Sequence, residues 1–305
     1  FTAIDNLNLE ISEGEIFGLL GENGAGKTTT LRILATMLKP TQGKATVCGY
    51  DTVKDDAKVR ENIGILFGGE TGLYDRLTAR ENIEYFGELY DMSKDELKKE
   101  IEKVAEALSM KEYIDKRVGT FSKGMKRQAV VITALACQTD YLLLDEAFDG
   151  LDPTMRIIVK RMLVDAMIDR NLTTIISSHN LKEINEVCES VALLHQGKII
   201  FSRDLDSVKG NIHKIQAVFK SADPEMPQYY SKEELAGTGV EILHYEKNQS
   251  VYHLIARGEV DEIKKKLEPK KPIVLDIIPL SLEEIFIYEM EVLGYDYNAI
   301  ETENK

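Results

Sequence analysis

Short apolar runs and amphipathic stretches alternate along this chain, the pattern of buried strands separated by half-buried helices. Ile16 to Leu20 is a continuous apolar run that predicts a buried strand. Leu7 to Ile11 alternates apolar and polar positions, which predicts a half-exposed strand, and the SEGE turn at Ser12 to Glu15 links the two. Lys27 to Leu38 places Leu31, Ile33, Leu34, Met37 and Leu38 at helical spacing, and Pro40 with the TQG turn ends that helix. Lys44 to Val47 and Ile63 to Phe67 read as further strands, the second apolar enough to be buried.

From Leu77 to Leu108 the period becomes that of two amphipathic helices, with Ile83, Phe86 and Leu89 on the apolar face of one and Leu97, Ile101, Val104 and Leu108 on that of the other. A turn at Val118 to Lys123 precedes a helix from about Met125 to Cys137, strongly apolar on one side. Tyr141 to Leu144 is a short apolar strand, Thr154 to Asp169 a helix, and Thr173 to Ser177 another strand. His195, Gln196 and Gly197 form the turn of a hairpin between Val191 to Leu194 and Lys198 to Phe201, which closes a first domain, 1–204.

Beyond Leu205 the pattern changes. Ile212 to Phe219, Val240 to Tyr245, Val251 to Ile255 and Ile273 to Ile278 read as strands. Ser231 to Ala236, Glu259 to Leu267 and Leu282 to Met290 read as helices. The order βαββαβ, followed by a helix, is compatible with a small α+β accessory domain of ferredoxin-like type over 205–305. It carries no chemical motif, and its KKKLEPKK run, Lys264 to Lys271, reads as a solvated helix end, with a partner or lipid-headgroup contact as the alternative.

Composition narrows the function classes. With 38 basic against 52 acidic residues and a net charge of −14, wholesale wrapping of nucleic acid or adhesion to anionic lipid is disfavoured. Cys48, Cys137 and Cys188 are far apart, so they suggest neither a disulfide framework nor a zinc site. They read as reduced packing residues of a cytosolic protein. No apolar run reaches the roughly 18 residues needed to cross a bilayer, and no charged-then-apolar leader opens the chain. If this protein works on a membrane, something else is expected to anchor it.

The candidate chemistry begins at GENGAGKT, Gly21 to Thr28, directly after the Ile16 to Leu20 strand. Its glycines allow backbone N–H groups to turn inward, the following helix offers its positive end, and Lys27 adds a mobile cation. A triphosphate fits such a nest. The hydroxyl of Thr28 suits a magnesium ion. The strand Tyr141 to Leu144 ends in Asp145 and Glu146, acids that are costly at a buried strand end unless a cation or hydrogen bonds compensate. Taken alone these acids also fit a solvated turn, and His179, beside Ser178 at the end of the next strand, also fits a surface residue.

Together these stretches resemble the nucleotide-binding subunit of an ATP-binding-cassette (ABC) transporter. GENGAGKT looks like the Walker A loop, FSKGM at Phe121 to Met125 like the LSGGQ-type signature, and YLLLDE at Tyr141 to Glu146 like Walker B. FDGLD at Phe148 to Asp152 looks like the D-loop, and His179 occupies the place of the switch histidine. The resemblance covers the first two thirds of the chain. It implies an α/β fold of the P-loop NTPase class, an ABC ATPase core with a helical signature subdomain over about 72–135.

The same resemblance implies the roles of the site residues. Two such domains pair head to tail, with ATP between the Walker A loop of one and the signature of the other. Gly21, Asn23, Gly24, Ala25, Gly26, Lys27, Thr28 and Thr29 would hold the phosphates, and Thr28 with Asp145 would organise Mg2+. Glu146 would polarise the attacking water, His179 would hold that water and the γ phosphate, and Asp152 would serve the D-loop. Ser122, Lys123, Gly124 and Met125 would close on the partner's nucleotide. The implied partners are a transmembrane permease subunit and a second nucleotide-binding subunit, identical or different, with the protein peripheral on the cytoplasmic face of the cell membrane.

The chain departs from the family pattern in three places. Gly68, Gly69 and Glu70 stand where a glutamine is usual, so altered coupling is expected there. Lys123 and Met125 replace the first glycine and the final glutamine of the signature; Lys123 is compatible both with a phosphate contact and with a solvent-facing position. The first residue is Phe1, so the aromatic that stacks on adenine in this family is expected upstream of it. SLEEIFI near Ser281, FSKGM and GGETGLYDRLTARENI resemble ATPase subunits of ABC-2 type exporters. An importer with a regulatory domain and a nucleotide-gated dimerising module with little hydrolysis are the alternatives. A soluble relative acting on ribosomes or DNA is disfavoured by the charge and by the absence of a second cassette or long coiled coil.

Overall fold

The computed structural model describes residues 2–67, 72–219 and 230–292. The chain divides into two compact units, Phe1–Ser202 and Arg203–Lys305.

The first unit starts with β1 (Ile16–Gly21), all of it buried, and α1 (Lys27–Leu34). Short β2 (Thr46–Val47) and β3 (Tyr50–Asp51) lead to α2 (Asp56–Asn62) and β4 (Ile63–Leu66). Helices α3 (Ala79–Leu89), α4 (Lys94–Ala107) and α5 (Lys123–Ala136) follow, then β5 (Tyr141–Asp145), α6 (Pro153–Arg170) and β6 (Thr173–Ser178). The unit closes with α7 (Leu181–Asn185), β7 (Ser190–His195) and β8 (Lys198–Asp204). The main sheet has the order β4-β5-β6-β1-β7-β8, and β4 through β7 are parallel where they pair. Strands buried on both faces read as continuous apolar runs, which is why β1 and β5 were legible from composition alone.

Parallel pairing has one consequence for the site. Because β5, β6 and β1 are adjacent, the segments that leave their C-terminal ends emerge side by side along one edge of the sheet. In open parallel sheets that edge is where ligands bind.

Three sequence expectations are corrected. Leu7 to Ile11 forms no ladder; its alternation survives as burial, with Leu7, Leu9 and Ile11 packed against Phe17, Leu19 and Leu194. Helix α1 stops at Leu34, because Thr36 turns to a left-handed φ of 62° and the N–H groups of Met37 and Leu38 both bond back to the Arg32 carbonyl. That leaves Met37 and Leu38 exposed. Leu89, placed on the apolar face of its helix by periodicity, is 59% exposed at the end of α3.

The helical insertion is held by caps and close packing. Thr78 and Glu81 form a capping box at α3, and Ser93 caps α4. Gly87 allows α3 to approach α4, since a Cβ there would lie 2.3 Å from Leu97 Cδ2. Leu97, Ile101 and Val104 are buried, as their spacing required.

The second unit contains α8 (Leu205–Asn211), β9 (Ile212–Phe219), α9 (Lys232–Ala236), β10 (Glu241–Asn248) and β11 (Val251–Arg257). It ends in α10 (Val260–Leu267), β12 (Pro272–Pro279) and α11 (Leu282–Val292). The sheet is antiparallel in the order β10-β11-β9-β12, the βαββαβ arrangement of a ferredoxin-like fold. Its core is built from Ile215, Tyr252, Leu254, Leu235, Ile263 and Leu267. The SLEEIFI segment opens α11 through reciprocal bonds between Ser281 and Glu284, and buries Leu282, Ile285 and Phe286.

Candidate functional site

The phosphate loop leaves β1 at Gly21, where a Cβ would lie 2.5 Å from the Leu194 carbonyl of the neighbouring strand, so only glycine fits. Gly26 caps α1 with φ 109°, and a Cβ there would stand 2.8 Å from the Ala3 carbonyl. Asn23 and Gly24 are exposed and Ala25 and Gly26 buried, so the loop presents one side outward. Lys27 is only 5% exposed, and its ammonium donates to the Gly21 and Glu22 carbonyls at 2.7 and 3.0 Å. A lysine this deep must be paired. Its partner is the Glu146 carboxylate, 3.5 Å away. Thr29 lies half-buried one residue past Thr28 on α1.

Asp145 ends β5 and is 3% exposed. Thr28 Oγ1 donates to its carboxylate at 2.8 Å and Ser177 Oγ donates to the same group. Among the described residues no lysine, arginine or histidine forms an ion pair with it. A buried carboxylate that accepts from two hydroxyls fits the oxygen-ligand preference of a hard cation such as Mg2+. No group of three or more His, Cys, Asp or Glu that could hold a metal ion occurs among the described residues.

Glu146 follows in a left-handed conformation, φ 50°. That geometry is unfavourable for a residue with a Cβ and is fixed by bonds from its N–H to the Ser177 carbonyl at 3.1 Å and to Ser177 Oγ at 3.2 Å. The turn aims the Glu146 side chain at Lys27 on one side and at His179 on the other, whose Nδ1 lies 3.0 Å from Glu146 Oε2. His179 itself is half exposed, at 51%.

The structure thus brings together Gly21 to Thr28, Asp145, Glu146 and His179 at one edge of the sheet. It does not bring the other candidates to them. Ser122 caps α5, its hydroxyl accepting from Met125 N–H at 3.3 Å, and Lys123 is exposed beside half-buried Gly124 and Met125. Asp152 caps α6 by accepting from Thr154 and Met155. Among the described residues, no hydrogen bond or ion pair joins Ser122 to Met125, or Asp152, to the phosphate loop. Gly68, Gly69 and Glu70 lie outside the described residues.

Two residues escaped sequence reasoning. Ser177 has a hydroxyl that holds both the Asp145 carboxylate and the Glu146 N–H, yet it reads as one more small residue in an apolar strand. Arg127, on α5, donates to the carbonyls of Phe67, Asp145 and Ala147 at 3.2 Å each, and also to that of Glu146. Burial pushes its guanidinium below the ordinary arginine value, and the charges of Asp149, Asp145 and Glu146 pull the other way. The available signal was an arginine inside a helix with a strongly apolar face.

The fold and site define a P-loop nucleotide triphosphatase: a parallel sheet, a glycine loop over a helix N-terminus, a buried lysine and paired acids at the next strand end but one. A family model described as ABC transporter matches residues 4–149. NatA of Bacillus subtilis, an ABC transporter ATP-binding protein, is 45% identical over 206 residues, 68% of this chain and 83% of NatA. The bacitracin transport ATP-binding protein BcrA of Bacillus licheniformis is 36% identical over 68% of this chain and 66% of its own length. The dimeric ATP-binding cassette MJ0796 in a post-hydrolysis state, bound to ADP and Pi, superposes with a TM-score of 0.61 at 25% identity, over 67% of this chain and 90% of that one. The chain belongs to the ATP-binding proteins of ABC transporters, in the same group as NatA and BcrA.

Proposed function

We propose that this protein is an Mg-dependent ATPase that powers an ABC-2 type exporter, acting as a peripheral subunit on the cytoplasmic face of the membrane through ATP-driven dimerisation. The observation that carries the reading is the Glu146 to His179 contact of 3.0 Å beside buried Lys27.

The roles in this reading are those that the family resemblance implies, and the meeting of Lys27, Asp145, Glu146 and His179 at one sheet edge supports them. The loop from Gly21 to Thr29, with Asn23 on its exposed side, wraps the phosphates through backbone N–H groups, and Lys27 neutralises the β and γ phosphates. Thr28 and Asp145 would hold Mg2+, which supplies charge to stabilise the phosphate oxygens when bound. Glu146, held in its turn by Ser177, orients and polarises the attacking water, and His179 fixes the γ phosphate against it. The N-terminus of α5, with Ser122 and Gly124, faces the nucleotide of a second subunit; Lys123 and Met125 flank that contact, and Asp152 holds the D-loop turn at the same interface.

Export is supported by the resemblance of the SLEEIFI segment and by relatives such as BcrA, named for bacitracin transport. Among the described residues no helix is long and apolar enough to cross a membrane. In this reading the path for cargo is that of a permease partner, as the family resemblance implies. Tyr74, packed edge-on to Tyr85 at 5.3 Å, and Leu89 are exposed apolar groups of the helical insertion and are the ones offered for that contact.

Phosphate release from ATP by the purified protein, dependent on Mg2+ and lost in Glu146→Gln while ATP-induced dimerisation persists, is the expected result. No release even with the permease present would overturn the reading in favour of a nucleotide-gated dimerising module.

A further inference from the structure

We infer that Arg156 and Lys160 on α6, with Glu183 and Glu186 after the switch histidine, form a two-rung clamp that positions His179 by tying it to the D-loop. The inference rests on the ATPase reading and deepens it.

The clamp is written in helical spacing. Arg156 and Lys160 are four residues apart and share one face of α6; Glu183 and Glu186 are three apart and share one side of α7 and its end. Arg156 Nη1 lies 3.0 Å from Glu183 Oε1, and Lys160 Nζ donates to Glu186 Oε2. Glu183 is 5% exposed and Lys160 8%. Charges this deep are costly when unpaired, so each rung holds its two elements in one arrangement.

Each rung also reaches the D-loop. Arg156 Nε donates to the Leu151 carbonyl at 3.0 Å, and Lys160 Nζ lies 5.0 Å from the centre of the Phe148 ring. At the other end, Glu183 Oε2 accepts from Ser178 Oγ at 2.8 Å, and the same hydroxyl accepts from Asn180 N–H at 2.9 Å. The residues on both sides of His179 are therefore pinned to one hydroxyl, and that hydroxyl to Glu183. Packing of two helices alone needs none of these terminal bonds. Arg156 and Glu183 touch neither phosphate loop nor catalytic acid; they are positioning residues acting through the His179 segment.

The test is steady-state ATP hydrolysis by the full-length protein, together with binding of a fluorescent ATP analogue and thermal unfolding, for Arg156→Met, Arg156→Lys, Glu183→Gln and the double variant Arg156→Met/Glu183→Gln. Arg156→Met and Glu183→Gln are each expected to lower kcat about tenfold while nucleotide affinity shifts less than about twofold, the signature of lost orientation rather than lost binding. Arg156→Lys restores most of the rate, and the double variant is no slower than the slower single one. An unchanged kcat in folded single variants, or effects that multiply in the double variant, would overturn the clamp. So would a loss of rate that tracks lost affinity and lost thermal stability in proportion. If Glu183→Gln does not fold, the comparison of Arg156→Met with Arg156→Lys decides alone, since Arg156 is partly exposed. Wild-type protein that binds ATP and releases no phosphate would instead sink the ATPase reading.

Discussion

His179 Nδ1 stands 3.0 Å from Glu146 Oε2, so the segment that leaves β6 touches the first residue beyond β5. The contact exists because β5 and β6 are parallel neighbours, with Asp145 in register with Ser177, and because Glu146 turns through a left-handed φ. Replacing Glu146 with Gln keeps the shape and removes the carboxylate proposed to polarise the attacking water. The expected outcome is a kcat lower by about 10²- to 10⁴-fold with ATP affinity retained, read by phosphate release and nucleotide titration. His179→Ala should fall in the same range.

The phosphate loop can be tested through its backbone. Gly26→Ala forces a side chain into φ 109° and places its Cβ 2.8 Å from the Ala3 carbonyl. Strain of this kind costs on the order of 1–3 kcal/mol, so the variant should unfold at lower denaturant and bind ATP more weakly. Gly24→Ala is the control: its φ of 83° is also strained, but no heavy atom within 4 Å obstructs a Cβ, so its loss of stability should be the smaller.

How legible the molecule was depends on whether a feature is carried by a run of residues or by a meeting of distant ones. Ile16 to Leu20 and Tyr141 to Leu144 could be read because parallel strands buried on both faces need no alternation. Lys27 could be proposed because it stands in a glycine loop whose chemistry is local, whereas Asp145 and His179, at their strand ends, also fitted solvated positions and took their expected roles only from the family resemblance. Ser177 and Arg127 could not be proposed, since their value lies in bonds to residues 32 and 18 or more positions away, and neither residue type is unusual where it stands. The missed end of α1 has a different cause. Periodicity ran on through Met37 and Leu38, but Thr36 reversed the backbone, and apolar spacing carries no information about φ.

Burial sets the reactivity of the cysteines. It pushes the Cys137 thiol up to about 12 and raises that of Cys188, where the nearby Lys160 charge pulls down without prevailing. Desolvation is also the largest influence on half-buried Cys48, again upward. A raised thiol pKa keeps the neutral form below it, so Cys137 is overwhelmingly a neutral thiol at pH 8. Native protein treated with a thiol-specific aromatic disulfide reagent at pH 8 should therefore react slowly and at Cys48 alone, and all three thiols should become reactive in denaturant. Rapid modification of Cys137 in the folded state would contradict its burial just past the end of α5.

Arg127 gives the strongest test of the site's support. Its guanidinium bonds to the carbonyls of Phe67, Asp145, Glu146 and Ala147, which joins the end of β4 to the turn at Asp145 and Glu146. Desolvation lowers its pKa, yet it stays charged at neutral pH because an arginine starts far above that range. Arg127→Met keeps much of the volume and removes every donor, leaving those carbonyls without this partner. Bonds to a charged donor are worth roughly 1.5–3 kcal/mol each in mutational series, and several share this side chain, so a loss of about 3 kcal/mol or more is expected in urea unfolding. Arg127→Lys can reach fewer of the carbonyls and should recover only part of the stability, because a single ammonium cannot reproduce a planar fork. If Arg127→Met were as stable as the wild type and hydrolysed ATP at the same rate, the Glu146 turn would have to be held by Ser177 alone.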